Sequence, residues 1–138
     1  MATVSHRSAS PGTGRFHAFL LAATVPLFFG AWLGDYAYWR SYQVEWSNFA
    51  SWLLVGALVF GGGALLFAVI DRVRGVRTPV LLLLQLLTWG LGFFDALIHA
   101  RDAWAVMPTG LVLSAIVAVL AAVSAWVAFA SLRAGDRA

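Results

Sequence analysis

Residues 79–102 read PVLLLLQLLTWGLGFFDALIHARD, and this stretch decides the fold. Residues 78–94 carry no Asp, Glu, Lys or Arg. With Asp95 and His99 taken into its end, the run can cross a bilayer core about 30 Å thick, which needs roughly 20 residues of helix. Gln85, Thr88, Gly92, Asp95, His99 and Asp102 step by 3, 4, 3, 4 and 3. At about 100° per residue, these steps keep them within an arc of roughly 100°. The segment reads as a membrane helix with one polar face.

Working outward, residues 16–34, 46–70 and 103–132 also lack charged side chains. The expected helices are 16–38, 49–70, 79–99 and 110–132, joined by connections short enough to make neighbours antiparallel. Closed β-barrels are the other spanning structure, but these runs are continuously apolar and do not alternate. Composition agrees: 62% of the 138 residues are hydrophobic and 11% charged, against about 25% charged in soluble domains. Mean hydropathy is +0.84. The fold class expected is an all-α, integral membrane four-helix antiparallel bundle in a single domain, 16–132. Residues 1–15 read as a disordered tail and 133–138 as a second tail. The run after Arg15 exceeds a signal-peptide core of about 7–15 residues and no small-x-small cleavage site follows, so it reads as a retained helix.

Cysteine is absent, which excludes disulfides, thiolate metal sites and thiol nucleophiles. The net charge of +3 comes from nine scattered Arg and no basic run, so these are membrane-flanking charges and no nucleic-acid partner is expected. Arg7, Arg15, Arg72, Arg74, Arg77, Arg133 and Arg137 fall on one side, Arg40 and Arg101 on the other. The positive-inside rule then places both termini in the cytoplasm. Asp35, Glu45, Asp95 and Asp102 mark the outer side, where Tyr36, Tyr38, Trp39, Tyr42, Trp46, Trp52 and Trp104 form an expected aromatic belt.

Lipid supplies no hydrophobic force between helices, so close backbone approach and buried polar groups must hold them. Gly30 and Gly34, the run Ala57 to Ala64 with three Gly, and Ser114, Ala118 and Ala122 are the candidate packing faces. They could serve within one chain or between chains, so a homo-oligomer stays open. Pro26 should kink the first helix, and Pro108 suits the start of the fourth.

On the first helix, His17, Thr24 and Asp35 lie 7 and 11 residues apart, within about 20° of one another. Helices one and three should therefore face each other across a partly polar interior. Depth sorts the groups into two sites. His17 lies at the inner end with Gln85 and Asp71 as neighbours, and Asp35, Asp95 and His99 lie at the outer end with Arg101 and Asp102 at the mouth. The ends are roughly 27 Å apart, too far for the two His to share an ion or a haem. Asp95 and His99 are i, i+4 and can touch. Ionisable groups in a membrane are functional candidates by default, and the alternative is a hydrogen-bonded cluster that fixes the helices. Trp89 reads as packing, and Arg40 and Glu45 as solvated loop charges. Metalloprotease, phosphate-loop, nucleophile-elbow and dinucleotide motifs are all missing, so a non-enzymatic chain is expected.

From His17 to Leu132 the sequence resembles a bacterial family of membrane proteins known as domain of unknown function 2231. The resemblance rests on the His opening helix one, Pro26, Asp35, the Gly-rich second helix closing on Asp71, and above all His99-Ala-Arg-Asp-Ala-Trp104 leading into Pro108-Thr-Gly-Leu-Val-Leu-Ser114. His17-Ala18 departs from the family's usual His-Pro, which weakens any role carried over to His17. The resemblance implies a small four-span protein of the inner (cytoplasmic) membrane. Members found beside or fused to Rieske-type domains and sugar dehydrogenases imply an electron-transfer setting.

Three functions are compatible with these readings. The first is a non-enzymatic membrane subunit or anchor, its partners the lipid bilayer and a membrane or periplasmic redox protein. The second is an electron-transfer module with haem b on His99 or a quinone held by His99 and Asp95, with Asp35 and His17 the remaining cofactor-binding candidates. The third is proton or ion translocation, for which Thr24 and Thr88 are the only stepping stones. Any metal is unknown, and no cofactor is equally compatible.

Overall fold

The computed structural model of the chain describes residues 11–75 and 79–135. It contains four helices, α1 (Pro11–Ser41), α2 (Val44–Val73), α3 (Pro79–His99) and α4 (Thr109–Gly135), with a 3-10 turn at Ala103–Ala105 before α4. All four are long and apolar enough to cross a membrane. The expected tails at residues 1–10 and 136–138, with Arg7, Arg137 and Asp136, and Arg77 of the α2–α3 connection, lie outside the described residues. Residues 11–15, read as tail, are helical, so α1 starts a turn and a half earlier than its apolar run. Helical backbone satisfies its own hydrogen bonds and can continue into the polar interface without apolar side chains.

The buried positions explain the bundle. Flanked by buried Ala18, Leu20, Gly34 and Ala125, the inward seam consists of His17, Leu21, Thr24, Phe28, Ala31, Asp35 and Tyr38 in α1; Ser47, Ala50, Leu54, Ala57, Ala64, Ala68 and Asp71 in α2; Leu81, Gln85, Thr88, Gly92, Asp95 and His99 in α3; and Ser114, Val117, Ala121, Ser124 and Ala128 in α4. The spacing alternates between 3 and 4, with half-buried Gly61 bridging the gap in α2. This 3.5-residue repeat keeps one seam turned inward and suits helices crossing at about 20°. α1 packs against α2 and α4, and α3 against the same two, so α1 and α3 face each other on the diagonal. The chain runs up-down-up-down, which puts the start of α1, the end of α2, the start of α3 and the end of α4 at one membrane face.

Two expected packing details are corrected. In α4, Ser114 is buried, but Ala118 is half-buried and Ala122 exposed. Steps of four advance about 400°, drifting 40° per step, so only alternation with steps of three stays inside. Tyr38, expected in the aromatic belt, is buried because it sits three residues beyond Asp35 on the inward seam. Tyr36, Trp39, Tyr42, Trp46, Trp52 and Trp104 are exposed at that end as expected.

Two turns use left-handed backbone. Tyr42 has φ 55° and its N–H donates to Tyr38 O at 2.7 Å, closing α1. Gly75 has φ 73° just beyond α2. Small residues set the helix spacing. A Cβ on Gly34 would lie 3.1 Å from Ala50 Cβ and 3.2 Å from Trp46 O, so α1 and α2 nearly touch there. Between α1 and α3 the space is filled by Phe28, which rests on Gly92: a Cβ at Gly92 would lie 2.9 Å from the Phe28 ring. Gly92→Val should therefore lower stability by about 1–3 kcal/mol through overpacking, and Phe28→Ala in the same chain should recover part of it. Unfolding in mixed detergent–SDS micelles reads this out; a silent Gly92→Val would mean that Phe28 does not sit there.

Candidate functional site

The polar face read from α3 is the face that α3 buries, and its groups meet α1 at both ends. At the α1 start, the Gln85 side-chain amide meets His17 Nε2, its nitrogen at 3.1 Å and its oxygen at 3.3 Å. Asp71 is buried on α2. Next along the bundle come Thr24 and Thr88, each donating to a carbonyl of its own helix (Leu21 at 2.6 Å, Leu84 at 2.7 Å). Thr88 Oγ1 also lies 3.4 Å from Ser124 Oγ. These residues, with Gln85, Trp89 and Phe28, line a cavity of about 10 Å³, room for roughly one water.

At the other end Asp35, Asp95 and His99 converge, as expected from their depth. Asp35 and Asp95 are 0% exposed, and the His99 side chain is 1% exposed. His99 Nε2 lies 2.7 Å from Asp35 Oδ1, across the diagonal. His99 Nδ1 lies 2.9 Å from the backbone oxygen of Asp95. A backbone carbonyl only accepts, so Nδ1 carries a hydrogen and donates it. The Nε2–Oδ1 contact then holds a second proton, on the imidazole or on the carboxyl. Asp95 Oδ1 is 3.3 Å from Nδ1, within ion-pair distance, but does not meet hydrogen-bond geometry. Asp35 Oδ2 and both Asp95 carboxylate oxygens are buried without a hydrogen-bond partner among the described residues.

The start of α4 packs against the His99 ring. Val106 is fully buried. Gly110 presses on the imidazole so closely that a Cβ there would lie 3.2 Å from His99 Cε1 and 2.5 Å from Val106 Cγ1. The spacing of residues 99–114 thus reflects a ring that needs a Gly seat one connection later. Arg101 and Asp102, expected at the mouth, are both exposed. Arg40 and Glu45 are exposed too.

Three features escaped the sequence reading. The hydrogen bond of His99 goes to Asp35 on another helix in preference to the i, i+4 Asp95 side chain. Trp89, read as packing, donates from Nε1 to Leu58 O at 3.1 Å and stacks on Phe93. Gly61 and Gly62 pack beside that indole, a Cβ on either lying 3.4 Å from it, about an ordinary van der Waals contact. A buried indole N–H seeks an acceptor, but which carbonyl it meets depends on the rotation of α2 and α3.

A multi-pass membrane protein is what this architecture defines: a four-helix bundle with a buried ionisable cluster near each end, separated by apolar packing and a small hydroxyl layer of Thr24, Thr88 and Ser124. Residues 15–129 match the family described as "Predicted membrane protein (DUF2231)", and the chain belongs to that family. No curated protein and no solved structure matches it.

Removing the imidazole should cost more than removing the amide at the opposite end. His99→Ala leaves two buried carboxyls without their imidazole partner, a loss of about 3–5 kcal/mol. Gln85→Leu gives up one interhelical contact, worth roughly 0.6 and at most about 1.7 kcal/mol in a membrane. Unfolding free energies of the two variants in one detergent system check the ordering; equal losses would contradict it.

Proposed function

We propose that the chain is a non-enzymatic membrane subunit or anchor, set in a bacterial inner membrane with both termini cytoplasmic. The seat of Phe28 on Gly92 carries this reading, because it fills the bundle centre between the two polar clusters. Beside it lies only a cavity of about 10 Å³. Translocation needs a polar path from His17 and Gln85 to Asp35, and this arrangement argues against one. The redox-carrier alternative fares no better at His99. Gly110 presses on the ring edge where a porphyrin would have to approach, a Cβ there lying 3.2 Å from His99 Cε1. A bundle whose internal polar groups fasten helices is suited to presenting its outer faces to a partner, for which the resemblance suggests a redox protein.

The test uses the chain at its natural level in its own membranes. Blue-native electrophoresis after mild solubilisation should find it in an assembly far larger than its 14.9 kDa plus detergent. Proteoliposomes of the purified chain should pass protons no faster than empty vesicles. A chain that migrates alone, or that dissipates a pH gradient, would overturn the reading.

A further inference from the structure

We propose that Asp35, Asp95 and His99 form a binding site for a divalent transition-metal ion, with Zn²⁺ as the representative. One donor atom from each residue lies within 4.8 Å of the others, and all three residues are buried. That juxtaposition alone would be an acidic cluster. What points to a ligand is the Asp95 carboxylate, 0% exposed, with Oδ1 3.3 Å from His99 Nδ1 and neither oxygen hydrogen-bonded, together with the buried, unbonded Asp35 Oδ2. Burying a carboxylate without compensation is expensive, and such groups are found paired or coordinating metals.

The imidazole is already held as a ligand. Nδ1–H donates to the Asp95 carbonyl at 2.9 Å, which fixes the tautomer and leaves Nε2 turned towards Asp35. Metal-binding His side chains are oriented by this kind of bond on the other ring nitrogen. Charge closes as well: two carboxylates, a neutral imidazole and a divalent cation sum to zero, which suits a site whose three residues are all buried. On binding, the proton held between Nε2 and Oδ1 leaves. The 2.7 Å contact then opens to about 3.4 Å, the separation of two donors on a tetrahedral ion with bonds near 2.1 Å.

The donor set selects the class of ion. One imidazole nitrogen and two carboxylate oxygens suit Zn²⁺, Mn²⁺ or Fe²⁺. Ca²⁺ takes six to eight oxygens and Mg²⁺ gives up its waters reluctantly, so an enclosed mixed site of three donors fits neither. The ion would clip α1 to α3, replacing one diagonal hydrogen bond with coordination from both helices.

The experiment uses the untagged full-length chain in detergent, stripped with chelator and titrated with Zn²⁺ by calorimetry and with Co²⁺ by visible absorption. One ion per chain is expected, with Co²⁺ bands of a four- or five-coordinate nitrogen–oxygen site. X-ray absorption of the Zn²⁺ form should show one imidazole among oxygen donors. Asp95→Asn and His99→Gln should each weaken binding by about 100-fold or more, while His17→Ala and His6→Ala bind as the parent does. Absence of one-to-one binding by the parent chain would overturn the proposal without recourse to any variant. So would equal affinity in Asp95→Asn, or loss of binding in His17→Ala.

Discussion

Everything in this bundle is arranged around the hydrogen bond between His99 and Asp35. An imidazole and two carboxyls in an apolar medium cannot be left to find water, so they must find each other. The partners lie on the diagonal helices, whose backbones are not in close contact. Forming the bond at 2.7 Å therefore fixes the rotation and depth of α1 and α3 together. A slip of one residue would rotate Asp35 by about 100° out of the seam. His17 and Gln85 repeat the device at the other end, so the diagonal pair is pinned at two heights.

Between the pins, packing takes over. Lipid competes with protein for apolar surface on equal terms, so association depends on how closely the helices approach. Gly30 against Leu53, Gly34 against Ala50, Gly92 under Phe28 and Gly110 against Val106 and His99 are places where an added methyl group would crowd its neighbours. The remaining inward positions are largely Ala, with Leu54, Val117 and Leu81 filling the wider gaps. The apolar core falls into two clusters, one around Phe28, Leu54 and Val117 and one around Leu21, Ala64 and Leu81. The small polar layer of Thr24, Thr88 and Ser124 lies along the same seams.

The polar stripe of α3 was legible because strongly polar residues are scarce in a membrane span. With Leu, Phe and Gly everywhere else, the spacing of Gln85, Thr88, Asp95 and His99 states the inward face directly, and the same held for His17, Thr24 and Asp35. Small residues are too common to carry that information. Ala118 and Ala122 in α4 look like a packing face, yet Ala118 only borders the core and Ala122 turns outward. Tyr38 suits either an interface belt or a core, and only its place on the seam decides. The grouping of Asp35, Asp95 and His99 followed from depth. Which carboxyl takes the hydrogen bond did not, because an i, i+4 contact is visible in a sequence and a diagonal one depends on helix rotation. The Gly110 seat and the Trp89–Leu58 bond were hidden for the same reason.

The most direct measurement is solid-state NMR of the chain in lipid bilayers with ¹⁵N-labelled His. The chain has only three His, so His99 can be assigned through His6→Ala and His17→Ala. The account predicts a protonated Nδ1 for His99 and an Nε2 resonance typical of a short N···O hydrogen bond that moves when Asp35 becomes Asn. An unprotonated Nδ1, or an Nε2 signal indifferent to Asp35→Asn, would contradict the diagonal bond and the account of the fold built on it.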